Sequence, residues 1–457
     1  MSNKIELEKD DILHHPSRPV VYSKIRQLAK ELAVLGKIDI ASKITDLVLP
    51  QNRTGFGQIQ FLNFAFEQTG DWPSTIPESA RSKNALDELE ISPSGSMDEK
   101  RYDELINQTE ASQEDIALCL NIAVVLCEKR GKTDVEDIKQ DERVVRVLEQ
   151  IKEKFHYCIS ALTQYRKIWP LLASGAIAQQ LGVHDAKLCA TAEDLVETVR
   201  IRMEQGRQKG SHQGRPIKEL LQILVENTRK NAATLYKHAH EDPPESYLHK
   251  PATEKDIEDL ENRLQISGLP DYYKEFLLAS NGLESVYDGH GMTPPLSDTQ
   301  NVVYNKNQNS EKVPLQLVED PTGTAQLMRE YGYDAWPSAT NQIEIGRMNE
   351  NVYAFSCRSD VKTTIKAYKE ALASDKVTDA IKVETIRAIE DQYGSMEAFE
   401  KMEWVMLDTV DFTPLVTIGT FQTWLEETAR LSARPDDSSS EPYCLAYECS
   451  AKQARGG

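Results

Sequence analysis

Apolar residues recur at helical spacing through the first 240 positions of the chain, where almost no strand-like alternation occurs. Two stripes repeat at steps of three or four residues. Their members are Val21, Ile25, Leu28, Leu32 and Leu35 in the first and Val144, Leu148, Ile151, Phe155, Ile159 and Leu162 in the second. The pattern predicts an all-α domain over residues 18–240. Within it, residues 71–98 are rich in Pro, Ser and charge, which favours a mobile linker, and the polar residues 1–17 are expected to be disordered.

The pattern changes at residues 241–252, EDPPESYLHKPA, where the prolines prevent helix continuation and stiffen a linker. Residues 253–282 then predict two amphipathic helices joined by a tight turn. Thr253 and Asp256 have the spacing of a capping box at the start of the first helix, and the Gly-Leu-Pro that follows this helix suits the turn. These signals indicate how the segment folds, and none of them is catalytic.

Shorter apolar runs after residue 300 predict strands. The runs are residues 301–304, 342–347, 352–357 and 404–407. The middle two flank Asn349-Glu350-Asn351, which predicts a hairpin. Before the last run, residues 361–402 have helical spacing and high charge, which predicts a helical insertion. The polar tail, residues 431–457, is expected to be disordered.

Short motifs follow the linker in a distinctive order. They are Leu260-Glu261, Leu269-Pro270, Tyr273, Phe276-Leu277, Ser280-Asn281-Gly282, Trp336-Pro337, Ile345-Gly346 and, in a closing helix, Phe421 and Trp424-Leu425. Over about residues 250–430 this order resembles the SUKH superfamily, which groups fungal cell-wall-synthesis regulators with bacterial toxin-immunity proteins. The helix pair is the most specific part of the resemblance.

The resemblance implies an α+β domain over residues 253–430, with a mostly antiparallel sheet flanked by helices. The whole chain is then an all-α domain followed by this α+β domain, an α+β protein overall. Most motif positions are expected to be structural, and Trp336 is a possible partner contact. The structural positions are Leu269, Pro270, Tyr273, Phe276, Leu277, Asn281, Gly282, Ile345, Gly346, Phe421, Trp424 and Leu425.

The net charge limits the classes of partner that the chain is expected to bind. The 457 residues carry a formal net charge of −20, and this acidic field argues against general nucleic-acid or membrane binding. No apolar run reaches the roughly 18 residues that a spanning helix needs. The seven cysteines show no CxxC spacing, so a reducing compartment, the cytoplasm or else the nucleus, is expected.

Residues 206–215, GRQKGSHQGR, lie between two predicted helices and combine glycines with basic side chains. Such a segment could cradle a phosphate or contact nucleic acid. The phosphate-loop pattern, however, needs Gly-Lys-Ser/Thr after a strand, and this segment has a different order after a helix. We therefore interpret it as a flexible interhelical loop.

The motifs carry little catalytic chemistry, and no cofactor or metal site is expected. Within residues 250–430 the only histidine is His290 and the only cysteine is Cys357, which is simplest to interpret as a small buried residue. The leading hypothesis is a non-enzymatic interaction protein that binds protein partners, with a fungal regulatory role favoured over immunity-type neutralisation of a toxin. The alternatives are an enzyme whose site in the helical half would use His156, His184 or Cys189, or a nucleic-acid adaptor working through residues 206–215.

Overall fold

The structure is a computed structural model of the chain. It describes residues 4–51, 59–91, 95–240, 242–306, 314–318, 323–332, 336–339, 341–410, 416–434 and 444–450. None of the helices in these ranges is both long enough and apolar enough to cross a membrane.

The first part of the chain is helical, as predicted. Its helices are α1 (Lys4–His14), α2 (Arg18–Val34), α3 (Ile38–Val48), α4 (Leu62–Thr69), α5 (Glu78–Arg81), α6 (Lys83–Leu89), α7 (Glu99–Ile106), α8 (Gln113–Lys129), α9 (Val135–Lys139), α10 (Glu142–Leu162), α11 (Trp169–Ala173), α12 (Ala176–Leu181) and α13 (Asp185–Gln205). Helix α8 begins at a capping box formed by Ser112 and Asp115, and its residues from Ile116 to Val124 are all buried. It packs against α10, and together they form the centre of one continuous apolar core.

The second part adds a sheet to helices. Its elements are α14 (Ile217–Asn231), α15 (Ala233–Ala239), α16 (Glu254–Leu264), α17 (Asp271–Ala279), β1 (Val303–Lys306), α18 (Gly323–Tyr331), β2 (Asn341–Met348), β3 (Asn351–Ser356), α19 (Arg358–Ala373), α20 (Asp379–Tyr393), α21 (Met396–Lys401), β4 (Val405–Val410), β5 (Val416–Gly419), α22 (Phe421–Ser432) and α23 (Leu445–Glu448). The strands pair in the order β1-β2-β3-β4-β5, each antiparallel to its neighbour. The α+β architecture expected from the resemblance is confirmed.

Helices cover both faces of the sheet. Phe355 on β3 and Met406 on β4 belong to a core shared with α14, α16, α17 and α22. Val405 and Leu407, which point to the opposite face because side chains alternate along a strand, belong to a separate core shared with α18, α19 and α20. The predicted helical insertion is therefore the third layer of the domain, because α19, α20 and α21 bury the second face of the sheet.

The helix pair at residues 253–282 has the predicted local signals. The hydroxyl of Thr253 accepts from the backbone of Asp256, whose carboxylate accepts from the backbone of Thr253, so the capping box is complete. Helix α16 ends at Gln265 in a left-handed conformation, three residues before the predicted Gly268. Pro270 caps α17 immediately before its first turn.

Three segments differ from the prediction because long-range contacts order them. Residues 4–14 were expected to be disordered, but they form α1, whose Ile12 enters the helical core. Residues 71–91, part of the predicted linker, place Ile76 and Leu86 in the same core. In the predicted disordered tail, residues 444–450 include Cys444 and Leu445, which are also buried there; residues 435–443 and 451–457 lie outside the described ranges.

The boundary between the helical half and the sheet-containing half also differs from the predicted one. Helix α14 was assigned to the all-α domain of residues 18–240, yet Leu220, Leu221 and Leu224 pack in the core beneath the sheet. Helix α14 packs against α22 and α17. The chain thus passes from one core to the other along residues 206–216, before the proline-rich stretch at 241–252.

Glu31 of α2 fixes the C-terminal segment to the helical half. Its Oε1 accepts from the Cys444 thiol at 2.7 Å and from the backbone of Ala446 at 3.0 Å. Burial raises the pKa of Glu31 to about 7, although these hydrogen bonds favour the ionised form. The carboxyl group therefore titrates near neutral pH.

We predict that Glu31 makes the protein less stable as pH rises. A carboxyl whose pKa is higher in the folded state than its ordinary value of 4.5 stabilises the fold fully below that value and loses this contribution as pH passes 7. The loss between pH 5 and pH 8 should be on the order of 3 kcal/mol. Urea unfolding and hydrogen exchange of residues 445–449 measure it.

The matched variant is Glu31→Gln, which keeps the shape and removes the titration. His15, whose pKa burial lowers to about 4, works in the opposite sense because stability rises as its unfolded form loses a proton. The difference between wild type and Glu31→Gln removes the contribution of His15. Identical pH profiles for the two proteins would contradict the role of Glu31.

Candidate functional site

A cleft with a volume of about 1290 Å³ lies between the two halves. One wall comes from α2, the end of α13 and the loop at residues 206–214. The other wall comes from the start of α17, from α20 and α21, and from the first turn of α22. Both halves of the chain are therefore needed to form the cleft.

The apolar part of the cleft lining is aromatic. Phe355 and Phe421 are buried, with ring centroids 6.0 Å apart, and Trp404 lies 6.2 Å from Phe355. Tyr272 lies 6.4 Å from Phe421, and burial raises the pKa of its hydroxyl to about 12. Leu269 of the family motif completes this floor. The floor is continuous with the core, so its rings are held in place by packing.

Two arginine side chains of the helical half and the backbone of a third arginine converge on one carboxylate at the cleft wall. Arg18 Nη1 donates to Asp391 Oδ2 at 3.2 Å, and Arg202 Nη2 lies 3.2 Å from the same oxygen. The backbone of Arg207 donates to Asp391 Oδ1 at 3.0 Å. Arg18, Arg202 and Asp391 are all buried. We call these four residues the arginine wall.

A second ionic cluster joins α1 to α22 beside the cleft. Arg430 Nη2 donates to Asp11 Oδ1 at 3.0 Å, Arg434 contacts the same oxygen, and Lys24 lies 2.9 Å from Asp11 Oδ2. Burial alone would raise the pKa of Asp11, but the charges of Arg434, Lys24 and Arg430 hold it well below its usual value. Asp11 therefore stays ionised. Glu427, 2.5 Å from Arg430, extends the cluster.

The loop at residues 206–215 is tied to both halves. Arg207 Nε donates to the carbonyl of His14 at 2.7 Å, and the backbone of Gln208 donates to Leu13 at 2.9 Å. On the opposite side the backbone of Gly214 donates to Glu426 Oε1 at 2.8 Å. The prediction of a flexible loop did not include these contacts, which hold the loop as part of the cleft wall.

The structure places most family-motif positions in the core beneath the cleft. Buried there are Leu269, Tyr273, Phe276, Leu277, Ile345, Phe421, Trp424 and Leu425. The Phe421 ring packs against Tyr273 at 5.1 Å and Phe276 at 5.3 Å. Leu269, Pro270 and Phe421 also line the cleft, so the motif supplies part of its floor.

The polar and small motif positions shape the backbone. Asn281 Oδ1 accepts from the backbone of Thr299 at 2.8 Å. Gly282 has φ +115°, and a Cβ there would lie 2.6 Å from the ring of His249. At Gly346, beside a bulge in β2, a Cβ would lie 2.5 Å from the carbonyl oxygen of Pro295. A larger side chain at either glycine would displace its neighbours.

Trp336 was a candidate partner contact, but the structure buries it. Its indole nitrogen donates to the carbonyl of Leu315 at 3.1 Å, and its ring packs edge-on against Tyr368 at 4.8 Å. With only 5% of its surface exposed, Trp336 presents no surface to a partner in this conformation.

The cysteines and histidines considered for catalysis lie elsewhere. Cys357 Sγ faces the Tyr304 hydroxyl at 3.9 Å, and burial raises the pKa of this thiol. Cys189 lies 3.9 Å from Asp185 in the same helix, while the ring of His156 lies tilted against that of Tyr157. Among the residues described, neither these side chains nor His184 and His290 line the cleft.

Sequence reasoning missed the arginine wall, although one signal for it exists. Leu188, Leu195 and Val199 form the buried stripe of α13, and Arg202 continues that stripe at the next helical step. A cation on an apolar stripe indicates a buried ion pair. Its partner Asp391 is 189 residues away, and no local pattern identifies it.

One comparison with known proteins identifies part of the chain. Residues 251–377 match the family model described as SMI1 / KNR4 family (SUKH-1), so the C-terminal part contains a SUKH-type domain. The match begins just before α16 and ends just after α19, so it leaves out the helical half and the elements from α20 onward. No curated protein and no solved structure matches the chain significantly.

We predict that Asp391→Asn destabilises the protein by about 3–5 kcal/mol, because it leaves the buried Arg18 and Arg202 without their carboxylate. The control is Glu403→Gln, which removes a half-exposed carboxylate paired with Arg358 and Lys362 and should cost less than about 1 kcal/mol. Urea unfolding compares the two variants. Equal losses would show that the wall contributes no more than a surface ion pair.

Proposed function

We propose that this chain, which contains a SUKH-type domain, is a non-enzymatic regulatory protein that binds a protein partner in the cleft between its two halves. The observation that carries the proposal is the combination of a preformed aromatic floor with charged walls. Aromatic side chains and arginines are the residues that contribute most to protein interfaces, especially where they are held rigidly.

The size of the cleft favours a protein segment over a small ligand. Small-molecule pockets usually have volumes of about 300–1,000 Å³. This cleft has a volume of about 1290 Å³ and is lined by both halves of the chain. A bound segment would contact both halves at once, so its affinity would depend on how they are held together.

Regulation is a better fit than neutralisation of a toxin, because the helical half supplies one wall and thereby links the SUKH-type domain to a second unit. A role in fungal cell-wall synthesis or signalling is the specific form we propose, and toxin neutralisation is the alternative. We place the protein in a reducing compartment, the cytoplasm or nucleus, because its seven cysteines are free thiols and six of them are buried.

Partner capture with a cleft-blocking variant tests the proposal. Gln213→Trp combined with Lys401→Glu changes two exposed residues that line the cleft, so the fold should be unaffected. The full chain serves as bait in an extract of its source cells, with quantitative mass spectrometry as readout. We expect the variant to capture at least about tenfold less partner than the wild-type protein. A loss of about 1.4 kcal/mol of binding free energy produces this change.

The matched control combines Gln108→Trp with Lys100→Glu, the same substitutions at exposed positions outside the cleft lining. This control should retain the partner. Full retention by the cleft variant, or equal loss by both variants, would contradict binding in the cleft.

A further inference from the structure

The arginine wall has an excess of positive charge. Two guanidinium groups, from Arg18 and Arg202, face a single carboxylate, Asp391. The guanidinium of Arg207 instead donates to the backbone carbonyl of Asp391 at 3.5 Å. Arg18 and Arg202 therefore keep one positive charge beyond the Asp391 carboxylate, in a chain whose net charge is −20. Buried charges are stable only when they are paired and hydrogen-bonded, so this arrangement can accept a further anion.

Arg202 has hydrogen-bonding capacity left for such an anion. Its side chain is 1% exposed, and its Nη1 donates to the carbonyl of Leu13 at 3.0 Å. Its Nη2 has no hydrogen-bond partner among the described residues, although it lies close to Asp391. Burial lowers the pKa of Arg202 to about 10, and the neighbouring Arg18 and Arg207 add to this effect. An anion beside Arg202 would raise its pKa again and so oppose the effects of burial and of the neighbouring arginines.

Arg387 extends the basic surface along α20. It lies four residues before Asp391, one helical turn away on the same face, and it lines the cleft. The described residues give Arg387 no ion-pair partner. Lys209, exposed on the loop two residues after Arg207, also lines the cleft and is unpaired within the described ranges.

The acidic residues of the lining are directed to other partners. Glu426 accepts from the backbone of Gly214 and from Gln422, Glu204 pairs with Arg200, and Glu403 pairs with Arg358. Asp271 is almost fully exposed at the cleft rim, and Glu390 is exposed beside Asp391 on a different face of α20. Glu427 and Glu426 offset the charge of Arg207. Arg18, Arg202 and the neighbouring Arg387 share only the carboxylate of Asp391.

The charge and geometry match a phosphoryl group better than a carboxylate. Arg18, Arg202 and Arg387 together exceed the Asp391 carboxylate by two positive charges. A phosphorylated side chain carries about −1.5 to −2 charges at pH 7, which would neutralise this excess, whereas a carboxylate would neutralise half of it. Guanidinium groups also bind phosphate oxygens in pairs, with planar, charge-assisted hydrogen bonds.

We propose that the arginine wall, with Arg387, binds a phosphorylated Ser, Thr or Tyr of a protein segment whose neighbouring side chains rest on the aromatic floor. The acidic field of the chain opposes capture of free anions, so the phosphoryl group must be delivered by a ligand with further contacts. The half-buried rings of Tyr272 and Trp404, which pack on the buried Phe421 and Phe355, supply these contacts. This inference rests on the proposed function and specifies the chemistry of its partner.

Degenerate peptide libraries with a fixed central phosphoserine, phosphothreonine or phosphotyrosine test the inference on the full chain. We expect the best phosphopeptide to bind at least about tenfold more tightly than its unphosphorylated form, since hydrogen bonds to charged groups contribute on that scale. Fluorescence anisotropy measures both affinities.

Variants of Arg387 test the site itself, because this half-buried residue can be changed without removing a described ion pair. Arg387→Gln should weaken the phosphopeptide about tenfold, and Arg387→Lys, which keeps the charge, should recover part of the loss. Lys376→Gln, an exposed change outside the cleft lining, should have no effect. Melting temperatures close to wild type exclude unfolding.

Other outcomes separate this inference from the proposed function. Peptide binding that is lost in the cleft-blocking variant but does not depend on phosphorylation would overturn the phosphoryl site and leave partner binding intact. Binding of ATP as tight as that of the best phosphopeptide would overturn the assignment to a protein segment. Equal affinity of the Arg387→Gln and wild-type proteins for the phosphopeptide would overturn the site.

Discussion

Two buried carboxylates, Asp11 and Asp391, each form ion pairs with arginines of the opposite half of the chain. The structure depends on these two sets of ion pairs. Asp11 lies in the helical half and binds Arg430 and Arg434 of the other half. Asp391 lies beside the sheet and binds arginines of the helical half. Charges buried in this way must keep their partners, because an unpaired buried charge costs several kcal/mol. The relative position of the halves, and hence the shape of the cleft, follows from that requirement.

The third layer of the sheet domain connects this constraint to the site. Helix α20 buries Ile381 and Ile389 against the second face of the sheet, and in the same turns presents Arg387 and Asp391 to the cleft. A segment that resembled an insertion in the sequence therefore has two roles. It completes the core of the domain and supplies the residues that meet the helical half.

The sequence predicts the features that depend on neighbouring residues, but few of the contacts between residues far apart in the chain. Thr253 with Asp256 and the turn at Asn349 predict the helix pair and the hairpin, because capping and turn formation involve residues a few positions apart. Helix α1 and residues 444–450 are too polar or too short to predict order by themselves, and distant partners such as Glu31 hold them. The arginine wall brings together residues 18 and 391, which no local spacing could reveal.

Calorimetric unfolding of the full chain tests most directly whether paired charges hold the two cores together. The wild-type protein should unfold in one cooperative transition, and the variant carrying Asp11→Asn and Asp391→Asn should unfold in two, because each half has its own apolar core. Two separate transitions in the wild-type protein, or a single transition in the double variant, would contradict the account.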